Sequence, residues 1–194
     1  MRQAWAGALA EFPRVEAATD GLSHAAVAIV IVAGPSFLLT RRTARLRNHP
    51  GQYALPGGKL ADGESPVDAA CRELDEELGL AVPASDAIGV LDDYVTRSGF
   101  VITPVVLWRA DEPHEVVPHA GEVAEVFTVP VADLDVEPIL IRIAESPSPV
   151  IRLPLLGRFI HAPTGAILHQ FAEVVLHGRA TRVAHYEQPV FAWR

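Results

Sequence analysis

The stretch GESPVDAACRELDEELGL, Gly63 to Leu80, carries Glu64, Glu73, Asp75, Glu76 and Glu77 besides Asp68. Its start and stop are set by residue type. Ser65 suits an N-cap, Pro66 the first helical position and Asp68 the first turn, and Gly79 suits the C-terminal stop. A helix is therefore expected over Ser65 to Leu78. Residues three and four apart share a helix face, so Glu73, Glu76 and Glu77 fall together. Val67, Ala70, Cys71, Leu74 and Leu78 take the opposite face, which is expected to pack on a sheet. Two like charges about 4 Å apart at an effective dielectric of about 20 repel by roughly 4 kcal/mol. A dication would reverse that sign, and hard carboxylate oxygens suit Mg²⁺ or Mn²⁺. A solvated acidic surface is the bland alternative, and the neighbours weigh against it. Gly57-Gly58 offers backbone that a ligand can approach closely. Glu64 adds a carboxylate at the helix entrance, and Arg72 can hold Glu73 through paired hydrogen bonds.

Outward from this helix, the N-terminal residues 1 to 20 are expected as a short helix and an arm. HAAVAIVIVA, His24 to Ala33, is β-branched and apolar and is expected as a buried strand. Gly34-Pro35 turns it into a second strand, Ser36 to Thr40. Arg41 to Gly58 reads as loop. Strands are expected at Ala87 to Val95, Phe100 to Arg109 and Glu122 to Val129, with a polar loop over Asp111 to Gly121 and a short helix over Val131 to Asp135. Pro147, Pro149 and Pro154 break up the next region. A helix follows over Ala162 to His177, then a tail from Thr181 that forms a strand or an ordered arm. The expected organisation is one domain, 1–194, with the C-terminal extension 139–194 packed on it.

The formal net charge of -8 argues against binding a nucleic-acid backbone by bulk electrostatics. Arg41, Arg42, Arg45 and Arg47 nevertheless form a local basic cluster. Lys59 is the only lysine, and Cys71 the only cysteine. No apolar run reaches membrane-spanning length. No signal-peptide pattern is read at the N-terminus, and the expectation is a cytoplasmic protein. The histidines show no metal-ligand spacing, Cys71 is expected as a core thiol, and Trp108 and Trp193 as core or interface residues.

Gly58, Glu64, Arg72, Glu73, Leu74, Glu76, Glu77, Gly79 and Leu80 fall at the spacing GX5EX7REUXEEXGU. This resembles the signature of the Nudix hydrolases in full. The resemblance implies an α/β fold, an α/β/α sandwich with a mixed β-sheet, and metal-dependent hydrolysis of a nucleoside diphosphate linked to another group. It implies that Glu73, Glu76 and Glu77 are metal ligands, that Glu64 contributes to the metal site, and that Arg72 orients Glu73. Leu38 to Gly58, LLTRRTARLRNHPGQYALPGG, resembles a second motif of the coenzyme A pyrophosphatase branch, with Thr43 and Leu55 departing from it. That branch implies cleavage of coenzyme A or its thioesters to 3′,5′-ADP and (acyl-)4′-phosphopantetheine. Arg41, Arg42, Arg47, Arg97, Gly57 and Gly58 are the substrate-binding candidates. The family often takes its general base from a loop outside the box, which makes Glu122 the preferred candidate here, with Glu125 and Glu77 as alternatives and Glu76, Glu77 and Arg72 completing the catalytic set. Partners implied are a small nucleotide substrate and a second copy in a homodimer, with no membrane or nucleic acid. Hydrolysis of ADP-ribose, a dinucleoside polyphosphate or a modified nucleotide remains open. A non-catalytic nucleotide sensor is disfavoured, because every box glutamate is present.

Overall fold

A strand that is apolar at nearly every position must be covered on both faces. In the computed structural model, which describes residues 1–18, 21–44, 50–110 and 115–193, β1 (Ser23–Val32) is such a strand. Ala26, Ala28, Val30 and Val32 pack in one apolar cluster. Ile29 and Ile31, pointing the other way, pack in a second. Gly34, at φ 77°, makes the turn into β2 (Ser36–Arg42), which pairs antiparallel with β1. On the other side β1 runs parallel to β7 (Phe100–Trp108), in register from Ser23↔Phe100 to Ile31↔Trp108. This parallel pair makes the sheet mixed. β5 (Ala87–Val90) and β6 (Tyr94–Val95) pair with β7, and β8 (Val123–Pro130) pairs with β2.

The carboxylate-rich helix is α2 (Pro66–Leu78). Ser65 Oγ accepts from Asp68 N–H at its start, and Gly79 ends it in the left-handed region at φ 62°. Ala69, Ala70, Leu74 and Leu78 are buried against one face of the sheet with Val105 and Leu107 of β7. The other face is covered by α1 (Arg2–Glu11) and α3 (Thr164–His177), so helices flank the mixed sheet on both sides. Trp5 of α1 stands edge-on to both Trp108 and Phe171, joining helix, sheet and α3.

Several expectations need correction. Arg41 to Gly58 is not all loop: β2 runs to Arg42, and β3 (Tyr53–Ala54) and β4 (Gly57–Lys59) add to the sheet. The expected strand Ala87 to Val95 is split, because the chain at Asp92 and Asp93 turns to other work. Asp92 accepts both hydrogen bonds of Arg182 Nη1, at 2.7 and 2.8 Å, and one from Val15 N–H. Asp93 accepts from Arg14, Thr103 and Ala17 N–H, so these two buried acids tie the N-terminal arm and the C-terminal arm to the sheet. The proline-rich stretch forms a second sheet of β9 (Ile139–Ile143), β10 (Ser146–Leu155) and β11 (Arg158–His161). Pro147 and Pro149 are tolerated there because they fall in the register shift between Ser146 and Val150, and Pro154 lies beyond the paired stretch of β9. The tail is an ordered arm with one bridge, Val150↔Glu187, and a single 3₁₀ turn over Val190–Ala192. Cys71 is half-buried, and burial raises its thiol pKa, aided by Asp68 and Asp86. Among the described residues no helix is long and apolar enough to cross a membrane.

Candidate active site

β4 lies antiparallel to β1, with Val27↔Gly57 and Ala26↔Gly58, which brings Gly58 against Glu73 of α2. The side-chain hydrogens of the two glycines are required by space. A Cβ on Gly57 would stand 2.3 Å from the Ala26 carbonyl oxygen, and one on Gly58 2.2 Å from Glu73 Oε1. Both distances are far inside van der Waals contact.

Arg72 is the brace of the site. Its Nε donates to Glu64 Oε1 at 2.9 Å and its Nη2 to Glu64 Oε2 at 3.0 Å, a two-pronged pair. Its Nη1 donates to Glu73 Oε1 at 2.8 Å and to Glu76 Oε2 at 3.1 Å, and Nη2 also reaches the Lys59 carbonyl at 3.0 Å. One guanidinium thereby links three carboxylates to the β4 backbone. The hydrogen bond from Arg72, with one from Ala61 N–H, holds Glu64 down from 4.5 to about 2, and the same contacts raise the pKa of Arg72 itself. Both Glu64 oxygens accept hydrogen bonds in this way, so Glu64 braces Arg72.

Glu73, Glu76 and Glu77 are not equivalent on their shared face. The Glu76 side chain is 60% exposed and that of Glu73 16%, whereas Glu77 is buried at 5%. Burial pushes the Glu77 carboxyl from 4.5 up to about 8. Glu73 and Glu122 add to that rise, while Arg42 and a hydrogen bond from the Gly57 backbone oppose it. Arg42 Nε is itself buried with no hydrogen-bond partner among the described residues, a donor that a phosphate oxygen would satisfy.

The chemistry of these donors fits a hard dication. Oxygen ligands are gathered where a carboxylate is forced to bury, and Glu73 and Glu76 each keep a second oxygen beyond the one Arg72 holds. Among the described residues no three such side chains already converge as they would on an ion.

The remaining candidates are sorted by their contacts. Glu122 precedes β8, is half-exposed, lies close enough to Glu77 to affect it, and has His119 Nδ1 at 3.7 Å. Glu125 instead pairs with Arg41 at 2.8 Å on the exposed rim. That pair uses Arg41, which does not line the cavity described next. Arg97 Nη2 donates to Glu187 Oε2 at 2.7 Å and lies 4.6 Å over the Trp193 ring, so it fastens the tail. Arg47 lies outside the described residues.

A cavity of about 340 Å³ opens beside Gly57 and Gly58, and Arg42 and Lys59 line it. Its far wall comes from α3 and the tail, through Thr164, Ile167, Gln188 and Ala192. Lys59 has a sequence signal in its position after Gly58. The tail residues have none, since their partners lie far away along the chain.

The NUDIX domain matches residues 22–152 of this chain. Nudix hydrolase NudL of Citrobacter koseri, described as uncharacterized, is 40% identical over 126 residues, 62% of this chain and 64% of that one. Nudix hydrolase 3 of Caenorhabditis elegans is 34% identical over 128 residues, 63% of this chain and 53% of its own. The chain thus spans less than two thirds of the length of these relatives. The crystal structure of a MutT/nudix family protein from Enterococcus faecalis shares the fold, with a TM-score of 0.55 over 86% of this chain and 65% of that one, at 16% identity. With its α2 carboxylates, their arginine brace and the two glycines facing them, this chain belongs to the NUDIX family.

Proposed function

We propose that the chain is a metal-dependent Nudix hydrolase that cleaves the phosphoanhydride of coenzyme A or its thioesters, giving 3′,5′-ADP and (acyl-)4′-phosphopantetheine. The observation that carries the hydrolase reading is the Arg72 brace, which holds Glu73 and Glu76 beside Gly58 while Glu77 is buried next to Arg42. The substrate reading draws its support from the Leu38 to Gly58 motif.

Glu73, Glu76 and Glu77 would hold Mg²⁺ or Mn²⁺. When bound, such an ion neutralises charge on the phosphates and acidifies water. The chain's own groups have distinct tasks. Gly57 and Gly58 let β1 and Glu73 pack close against β4 and present bare backbone at the edge of the cavity. Arg42 offers its unpaired buried Nε to a phosphate oxygen. Glu122, half-exposed at the rim of the acidic cluster, accepts the proton of the water that attacks phosphorus. The bond between that phosphorus and the bridging oxygen then breaks, and the departing phosphate carries the bond's electrons.

Another nucleoside diphosphate derivative, such as ADP-ribose, is the second reading. It is favoured by the pairing of Arg41 with Glu125 and of Arg97 with Glu187, which leaves fewer arginines for a 3′-phosphate. A panel of coenzyme A, acetyl-coenzyme A, ADP-ribose and dinucleoside polyphosphates, incubated with Mg²⁺ or Mn²⁺ and resolved by chromatography, separates the two. Coenzyme A cleaved fastest, with 3′,5′-ADP as product, supports the first reading. Preference for ADP-ribose gives the second, and no cleavage of any member removes both.

A further inference from the structure

Pro163 to Trp193 lie beyond the stretch 22–152 that matches the NUDIX domain, yet they form one side of the cavity beside Gly57 and Gly58. That side is fastened. Glu187 Oε2 accepts from Arg97 Nε at 3.0 Å, from its Nη2 at 2.7 Å and from Ser146 Oγ at 2.9 Å. Glu187 N–H donates to the Pro149 carbonyl, and Tyr94 Oη donates to the Tyr186 carbonyl at 2.8 Å. Trp193 Nε1 closes the turn onto the Gln188 carbonyl at 2.8 Å. A wall tied to both sheets is set before any ligand arrives.

The lining has a definite chemistry. Its cations are Arg42, close to Glu77, and Lys59, whose Nζ sits over the Phe100 ring. The rest of the lining is apolar, from aliphatic residues such as Val27, Ile102 and Ile167 and from the rings of Tyr53 and Phe100, with Gln52, Thr96, Ser98, Thr164 and Gln188 as neutral polar groups. No carboxylate is among the lining residues, so a ribose diol would find no strong acceptor there. A phosphate away from Arg42 and Lys59 would be buried without a countercharge, at a steep desolvation cost. A nucleobase would seek open aromatic faces. Both rings that line the cavity are already engaged: Lys59 Nζ sits 5.1 Å over Phe100, and Tyr53 packs against Phe127 with ring centres 5.4 Å apart. What suits apolar walls set with several neutral hydrogen-bonding groups is a flexible, uncharged chain bearing amides. Gln188 Oε1 already accepts from Arg97 N–H at 2.8 Å, so its NH₂ is what it can offer to an amide carbonyl.

We infer that this cavity is the recognition subsite for the uncharged amide-bearing arm of the substrate, pantetheine in coenzyme A, and that the C-terminal arm supplies this chain's selectivity. The inference rests on the coenzyme A reading of the reaction. Calorimetry with pantetheine and, separately, with 3′,5′-ADP tests it without requiring turnover. The proteins are the wild type and two variants that fill the cavity from opposite sides, Ala192→Phe in the arm and Ile102→Phe in β7. A melting curve matching wild type qualifies each variant, and either one suffices. Pantetheine binding to wild type, weakened roughly tenfold or more in a qualified variant with 3′,5′-ADP affinity retained, is the expected result. Loss of 3′,5′-ADP binding instead, unchanged pantetheine affinity in the variants, or no pantetheine binding to wild type overturns it. Pantetheine binding without cleavage of coenzyme A would remove the proposed reaction and keep the subsite. Cleavage with an unchanged KM in both variants would do the reverse.

Discussion

Gly57 and Gly58 are adjacent, and both are too crowded for a Cβ, but the atoms that crowd them differ. At Gly57 the obstacle is backbone, the Ala26 carbonyl and Val27 Cα of β1. At Gly58 it is the carboxylate of Glu73, the far end of a flexible side chain. Gly57→Ala must therefore push two paired strands apart, at about 1–3 kcal/mol, the usual cost of overpacking. Gly58→Ala can be accommodated by turning Glu73 away, which spoils the site and spares the fold. The expected outcome is a lower denaturation midpoint for Gly57→Ala, and for Gly58→Ala a near-native midpoint with activity down about a hundredfold or more, the scale of losing a positioned catalytic group. Chemical denaturation and initial rates on the two variants check this. Equal losses of stability would contradict it. At this scale the sequence was informative where signals are local. Ser65, Pro66 and Gly79 bound the helix, and the glutamate spacing picks out its acidic face. That Glu77 is buried, and that Glu64 spends both oxygens on Arg72 and Ala61, depends on what packs over the helix, which periodicity does not carry.

Elements whose partners are close in the chain were legible, and those held by distant partners were not. The β1–β2 hairpin and α2 needed only their own residues. β4 reads as a Pro-Gly-Gly turn until β1, some thirty residues earlier, supplies its pairing. The tail is held through Arg97, Ser146 and Pro149, none of them near it in sequence. Its fastening is pH-dependent. Burial alone would raise the Glu187 carboxyl, but hydrogen bonds from Arg97, Gln188 N–H and Ser146 outweigh it and hold the pKa below the ordinary 4.5. A carboxyl depressed on folding stabilises the folded state above its unfolded pKa, and that contribution is lost as pH falls through the folded value. Glu187→Gln should therefore melt lower than wild type at pH 7, with the gap closing as pH drops below about 4.5, the ordinary glutamate value. Thermal melts of both proteins from pH 7 to pH 3 check it. A gap independent of pH would show that the glutamate's charge is not what fastens the tail.

At the scale of the whole molecule, both arms are tied back to the mixed sheet. Asp92 and Asp93 receive Arg182 from the C-terminal arm and Arg14 from the N-terminal one, so both chain ends converge on one edge of the fold. The mixed sheet was legible only through the box resemblance, because the strand pattern alone does not show that β1 and β7 run parallel. The second sheet was not, because three prolines mask β10 until the register shift that accommodates them is seen. The acidic cluster is the centre of the account: Glu73, Glu76 and Glu77 share one helix face, and the proposal is that a dication belongs among them. Titration of Mn²⁺ into the purified protein and into Glu76→Gln, followed by calorimetry, tests this most directly. The account predicts uptake by the wild type and binding at least about tenfold weaker in the variant, the scale of losing one coordinating interaction. No uptake by the wild type, or equal uptake by both proteins, would contradict it.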